Sequence, residues 1–407
     1  MPIRFRLKEF TLVNCFCAIF GFHAFGQSGE VISETRFNLN IKYCQGSAAN
    51  SVSCFNSKYF LFYYDSIVED NQSFRNLNLK KVYPNSGSAT DVQLVYPDSI
   101  SQQSKSFGRI NALFISRNGN YLIVSHFRVQ VLFIRKNNRY EFRKVLSVGH
   151  YVESIEELNH STAVLYTCYN YHPNDQAYTT SISTLDLRSG ILIKTIHPKI
   201  SGIEFSHLIH NWITITKNKI AFCEPLKFQV NFYNSQLLNF KSYNIEPANW
   251  VNANLDSLLN SFSILNVKSS ISNILAMDDS ICRIEKIYWV NKHKLLVSYK
   301  LLGEKQTTRH VLIYDFNRNK AIKDSKIDIR DFFYMRDSMH NGHRPFPEIT
   351  YSSSLYFKNN VAFMFNQYYL PVKLEYISGK TGMEERKKYL KANGMQWTLI
   401  KLRLSFL

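Results

Sequence analysis

Glycine and proline are scarce in this chain, 15 and 10 among 407 residues. Both fall below the usual share, which excludes collagen-like and Pro-rich low-complexity chains. No apolar run reaches the roughly 18 residues that a membrane-spanning helix needs. Chemical motifs are missing too. The chain has no GxSxG elbow, no GxxxxGK[ST] phosphate loop and no GxGxxG fingerprint. Nor does it contain HExxH or a calcium-binding Asp ladder. The Ser-x-Asp-x-Gly-x-Thr-Trp box and Trp-Asp repeat ends are likewise absent. No CxxC or Cys/His zinc spacing occurs, so no metal centre or cofactor is expected.

What is present is apolar and basic. The hydrophobic share is 45%, the aromatic share 14%, and the net charge +18. That much apolar content excludes disorder. The cations are scattered with acids among them, which argues against nucleic acid. Attraction to anionic glycans or headgroups is the cheaper use of the charge.

Residues 1–26 read as a secretory signal. Arg4, Arg6 and Lys8 precede a short apolar stretch, Phe10 to Phe25, and Ala24 and Gly26 are the small residues at the cleavage site. Cleavage would remove three cations and one anion, leaving about +16. Cys15 and Cys17 would go with it. Of the five remaining cysteines, Cys44 and Cys54 are close enough to clip a loop in an oxidising compartment. Cys168, Cys223 and Cys282 sit in apolar runs and read as buried thiols.

The body of the chain is built of five- to eight-residue runs rich in Ile, Val, Phe, Tyr and Thr, cut by turn residues. Such runs are strands. The clearest block gives Ile110–Ser116, Tyr121–Phe127, Val129–Arg135 and Tyr140–Leu146. Its tight turns are Arg117-Asn118-Gly119-Asn120 and Lys136-Asn137-Asn138-Arg139. Similar blocks fill 151–196, 203–243 and 281–322, with looser ones at 53–82 and from Ile349 on. Repeated four-stranded meanders predict an all-β, six-bladed β-propeller spanning residues 27–407 as a single domain. Phe37–Tyr43 and Trp397–Ser405 lack neighbours in sequence, so they are expected to share one blade. Two short helical insertions are expected, at 254–266 and 381–393. Asp65, Asp186 and Asp315 read as turn formers.

The signal ending, the Lys219–Cys223 and Phe228–Asn234 pair, Trp250, and Ile284–Val290 with Lys294–Ser298 resemble the TolB-like six-bladed propellers of secreted Bacteroidetes-type proteins. The likeness covers most of the mature chain. It implies a propeller fold but carries over no catalytic residues. The Gly-rich loops common in such propellers are replaced here by Asn.

The most unusual segment is 330–348. It holds Arg336, His340, His343 and Arg344 among aromatics, and would project from one face where ligands bind. Arg336 and Arg344 suit a carboxylate or sulfate. Trp250, following Pro247, is a candidate surface platform, whereas Trp289 alternates within a strand and belongs to the core. The resulting reading is an exported, secreted or periplasmic, monomeric binding or scaffold module for a protein or glycan. It has no membrane span and no evident catalysis. The alternative is a polysaccharide-acting hydrolase or lyase with acids converging at an axial funnel.

Overall fold

The structure, a computed structural model, describes residues 29–38, 51–66 (57 excepted), 76–104 (85 and 87 excepted), 107, 110–126, 129–148 and 152–172. It further describes 177–198, 213–216, 219–224, 226–251, 282–304, 308–328, 354–358, 361–368, 388 and 396–404. These residues are nearly all β. The expected signal, both expected helices (Lys388 apart), and the 330–348 segment lie outside them.

Strand β1 (Gly29–Asn38) comes first. Sheet I follows in the order β2 (Ser51–Phe55), β3 (Phe60–Ser66), β4 (Asn76–Val82), β5 (Ala89–Asp91). Next come β6 (Leu94–Val95) and the helical turn α1 (Asp98–Ser104). Sheet II holds β7 (Ile110–Ile115), β8 (Tyr121–His126), β9 (Gln130–Lys136) and β10 (Arg139–Leu146), with β6 added in parallel on β10. Sheet III is β11 (Val152–Asn159), β12 (Thr162–His172), β13 (Ala177–Asp186) and β14 (Ile191–Ile196). Sheet IV is β15 (Ile213–Thr216), β16 (Lys219–Glu224), β17 (Gln229–Tyr233) and β18 (Asn239–Asn244). Sheet V is β19 (Arg283–Asn291), β20 (Lys294–Lys300), β21 (Thr308–Asp315) and β22 (Lys320–Asp328). Sheet VI runs β23 (Ser354–Lys358), β24 (Val361–Tyr368), β25 (Gln396–Leu404), and then β1.

The chain ends do share a sheet. β1 pairs antiparallel with β25, Phe37 opposite Trp397. The N-terminal strand starts earlier than its apolar residues suggested, at Gly29 instead of Phe37. Its polar residues are tolerated because it is the outermost strand of its sheet.

Alternate residues of one strand serve different cores. In β7 to β9, Leu113, Ile115, Leu122, Val124, Val131 and Phe133 pack with Leu61 and Leu79 of sheet I. Their neighbours Ala112, Phe114, Ile123 and Leu132 pack instead with Ala163, Leu165 and Leu185 of sheet III. Sheet III meets IV through Val164, Tyr166, Ile220 and Phe222. Sheet IV meets V through Ala221, Cys223, Val230, Leu295 and Val297. Burial on both faces explains why these strands read as continuous apolar runs. The first strands also touch in succession: β2 with β7, β7 with β11, β11 with β15, β15 with β19, β19 with β23, and β23 with β2.

Two features recur, one invisible in the sequence and one anticipated by it. The outer strands β10, β14, β18 and β22 each carry a bulge opposite the third strand, leaving Arg143, Ile193, Phe240 and Ile322 unpaired in register. Bulges add twist, and on the edge strands β14, β18 and β22 they blunt edge-to-edge association. The short turns are closed by Asn and Asp side chains. Asn118 Oδ1 accepts from the Asn120 N–H at 3.0 Å, Asn234 Oδ1 from Gln236 at 2.9 Å, and Asn291 Oδ1 from His293 at 2.9 Å. Asp186 and Asp315 close their turns in the same way, from Arg188 at 3.0 Å and Asn317 at 2.9 Å. Asn137 and Asn319 take φ values of 54° and 50°, a region that Asn tolerates. Asn thus supplies the turn chemistry that glycine usually would.

Adjacent glutamates on β11 tie three sheets together. Glu157 accepts the Arg117 backbone N–H of sheet II. Glu156 accepts the Ile215 backbone N–H of sheet IV at 2.9 Å. Burial pushes the Glu156 carboxyl up to about 7, against the opposing pull of the Ile215 N–H and Arg117. A raised carboxyl favours the fold while protonated. Its contribution is therefore full below the ordinary Glu value of 4.5 and lost as pH rises through about 7. Glu156→Gln keeps the acceptor oxygen and removes the titration. Thermal melts from pH 4 to pH 8 should then show a smaller decline for the variant, with its midpoint a few degrees above wild type at pH 8. A decline as steep as the wild type's would locate the pH dependence elsewhere.

Candidate functional site

The two ends of the sheets differ. In sheets I to V, the turns joining first to second and third to fourth strands lie at one end. There they are tight, as at 116–120, 137–138, 160–161, 187–190, 292–293 and 316–319. The other end receives the second-to-third connections and the crossovers to the next sheet. The long connections 245–282, 329–353 and 369–395 all leave from that crossover end.

At the crossover end of sheet V, polar side chains converge from three strands and a turn. The Tyr299 phenol of β20 donates to Asp324 of β22, with both carboxylate oxygens at 2.8 Å. His310 of β21 stacks on Tyr299 with centroids 5.0 Å apart. Its Nε2 lies 3.0 Å from Glu304 Oε2, and its Nδ1 3.9 Å from Asp324 Oδ1. Lys326 reaches Glu304 Oε1 at 2.8 Å. Pairing register accounts for the gathering, since Tyr299 faces His310 and His310 faces Lys326. Asp324 lies two residues from Lys326, on the same face.

Burial, reinforced by the hydrogen bond to Asp324, raises the Tyr299 phenol, which stays a donor. Burial alone would raise Glu304, but Lys326 and His310 outweigh it and hold the carboxylate below its ordinary range. His310 and Glu304 are largely shielded, while Asp324 and Lys326 reach solvent. The exposed rim therefore presents one carboxylate and one ammonium, backed by an acid–base chain. Among the described residues, no group of three His, Cys, Asp or Glu is disposed to hold a metal ion.

Trp250, expected as a surface platform, is instead a core residue. It is 6% exposed. Its ring meets Phe228 edge-on at 4.7 Å and lies 6.1 Å from Tyr299. The turn at Pro247 folds the segment back, with the Trp250 N–H bonded to the Pro247 carbonyl at 3.0 Å. The indole thus closes the core between sheets IV and V beneath the polar cluster. Phe228, wedged between Trp250 and Tyr299, holds a φ of 52°, which is rare for a bulky side chain. Trp289 is partly buried and stacks on Phe232, as a core residue should.

Arg336, His340, His343 and Arg344 lie outside the described residues. The segment bearing them follows β22, whose last residue, Asp328, pairs with Thr308 at the crossover end. Cys54 carries a free thiol packed against the apolar cluster between sheets I and II, and burial pushes it up to about 12. Its expected partner Cys44 lies outside the described residues. Cys223 and Cys282 are buried and free, as expected. The Tyr299, His310 and Asp324 group was not anticipated. Each residue sits in a strand-like run, but only the register between strands brings them together.

No protein-family model matches the chain, and no curated protein matches it. Solved structures do. A Bacteroides fragilis protein described as exported aligns at 12% identity and a TM-score of 0.53, over 92% of this chain and 95% of its own. That likeness shows the fold alone. A DUF4221-family protein from Bacteroides vulgatus aligns at 10% identity and a TM-score of 0.48, over 93% and 99% of the two chains. The Dos1 propeller aligns at 11% identity and 0.38, over 72% and 64%. Among the described residues, no helix is long and apolar enough to cross a membrane.

Tyr299→Phe leaves Asp324 without its buried donor. A hydrogen bond to a charged group contributes about 1.5–3 kcal/mol, and partial exposure of Asp324 places the expected loss near the lower figure. Urea unfolding measures it. An unchanged midpoint would mean that water replaces the phenol without cost.

Proposed function

We propose that residues 27–407, freed of the signal 1–26, form a closed six-bladed β-propeller of the TolB-like kind. It is exported and acts as a binding module at its crossover end. Six sheets whose first strands touch in succession, with β23 returning to β2, support the ring. The observation that carries the function is the asymmetry of the ends. One end is a set of tight turns, and every long connection leaves from the other. The likeness to an exported protein supports the compartment.

The ligand in this reading is an anionic glycan or an acidic protein surface. Arg336, His340, His343 and Arg344 supply the donors, and a mature net charge of about +16 favours the encounter. Calorimetric titration of the mature protein with a sulfated oligosaccharide tests it. Arg344→Ala and His343→Ala should each weaken binding about tenfold, a loss of about 1.4 kcal/mol. Unchanged affinity in both variants removes the loop from the site.

The enzyme reading rests on the chain Tyr299–Asp324–His310–Glu304, which joins acid and base groups at the same end. Release of reducing ends from an acidic polysaccharide, lost in His310→Gln, would favour a hydrolase or lyase. No release by the wild type favours the binding module.

A further inference from the structure

A second site lies at the opposite, tight-turn end, where sheets I and II meet. Lys81 of β4 places its ammonium 5.2 Å from the Tyr59 ring centroid and 5.5 Å from that of Tyr140. Beside it stands Arg135 of β9. The point where a Cβ on Gly119 would sit is 3.3 Å from Tyr59 Oη, 3.8 Å from Arg135 Nη1 and 4.0 Å from Tyr140 Oη. Gly119 holds a φ of 75°, so this turn brings its bare backbone against all three groups. The Tyr140 phenol donates to the Gly119 carbonyl at 2.7 Å. Tyr59 is 7% exposed, and its hydroxyl lies beside that of Tyr140 without a hydrogen bond of good geometry.

Two cations are thus held together with no counter-ion among the described residues. The nearby acids are engaged elsewhere. Asp91 pairs with Lys80 at 2.6 Å. Glu141 pairs with Lys136 at 2.6 Å and Arg139 at 3.1 Å. Among the described residues, neither Lys81 nor Arg135 has a carboxylate partner. Burial, then the Arg135 charge, lowers the Lys81 ammonium, as expected of an unneutralised pair. A buried hydroxyl with only a poorly aligned neighbour is also costly. One bound group would satisfy all three: an oxyanion, accepting from an ammonium, a guanidinium and a phenol.

We propose that Lys81, Arg135 and Tyr59 form an oxyanion-binding site for sulfate or phosphate, as a free ion or as a monoester on a sugar. This site is separate from the crossover end and does not depend on the function proposed there. Inorganic sulfate and glucose 6-sulfate are the probes, titrated calorimetrically into the mature protein at matched ionic strength. Lys81→Met, Arg135→Gln and Tyr59→Phe are compared with wild type, and Lys194→Gln, an exposed cation on sheet III, serves as control. The two charge variants should bind at least about tenfold more weakly, as loss of a charge-assisted donor predicts. Tyr59→Phe should weaken binding less, and the control should match wild type. Equal affinity for both probes assigns the site to the oxyanion itself. Tighter binding of the sugar sulfate assigns it to a monoester.

A second measurement covers poor folding. Without anion, Lys81→Met should melt above wild type, because it removes one of two like charges. Sulfate stabilises most folded proteins by exclusion, so the thermal readout is the difference between variant and wild type across sulfate and chloride. The same sulfate increment in wild type and both charge variants, or no calorimetric binding by the wild type, overturns the proposal.

Discussion

A four-stranded meander built of continuous apolar runs has two greasy faces and can bury neither by itself. In this chain that constraint governs almost everything else. Ile123 and Val124 are neighbours in β8, yet they belong to different cores. Removing one sheet would expose a face on each of its two neighbours. A linear stack would leave two such faces open to water, and the first strands touch in succession from β2 round to β23. The pairing of β1 with β25 serves the same need in the chain direction, because it completes the one sheet that the C-terminal strands leave short.

Packing between sheets also decides where polar groups go. The first strands lie against neighbouring sheets, so a stray backbone N–H there has no water to turn to. Glu156 and Glu157 answer this from one strand, each reaching to a different neighbour. At the tight-turn end, Asn and Asp oxygens take up the turn N–H groups. At the crossover end of sheet V, the strands run out into long connections. Polar side chains near those strand ends, such as Tyr299, His310 and Asp324, satisfy one another. The rigid end is closed by local chemistry, and the crossover end by pairing across strands.

The strand map was legible because burial on both faces writes itself as runs of Ile, Val, Leu and Phe. Residues 110–146 gave four strands to within a residue at each end. Short elements without such runs were not visible. β5 is fully exposed, β6 spans two residues, and α1 is a single polar stretch. Register was invisible as well, and with it the four bulges and the His310 cluster. Trp250 shows the limit most plainly. Pro247 correctly signalled a turn, but a turn can aim an indole inward as easily as outward, and here packing against Phe228 and Tyr299 decides. The charge was read as diffuse for the same reason: Lys81 and Arg135 are far apart in sequence and meet only when sheet I docks on sheet II.

That meeting is instructive about what aromatic residues do here. A cation over an aromatic face gains about 0.5–2 kcal/mol depending on how far it is desolvated. Tyr59 and Tyr140 together therefore offset part of what Lys81 loses on leaving water. They do nothing for the repulsion from Arg135, and they place a second polar burden, the Tyr59 hydroxyl, in the same spot. A fold seeking only stability would put Met or Leu at position 81, where the surroundings are already apolar. Neutralising Arg135 would cost the core nothing, since that side chain is exposed. The pair persists at a place where the backbone, through Gly119, has been brought as close as a missing side chain allows. Unbalanced charge, a poorly partnered donor and close backbone approach are separate departures from good packing. Each is explained by the same thing, a negatively charged group that completes the corner between the two sheets.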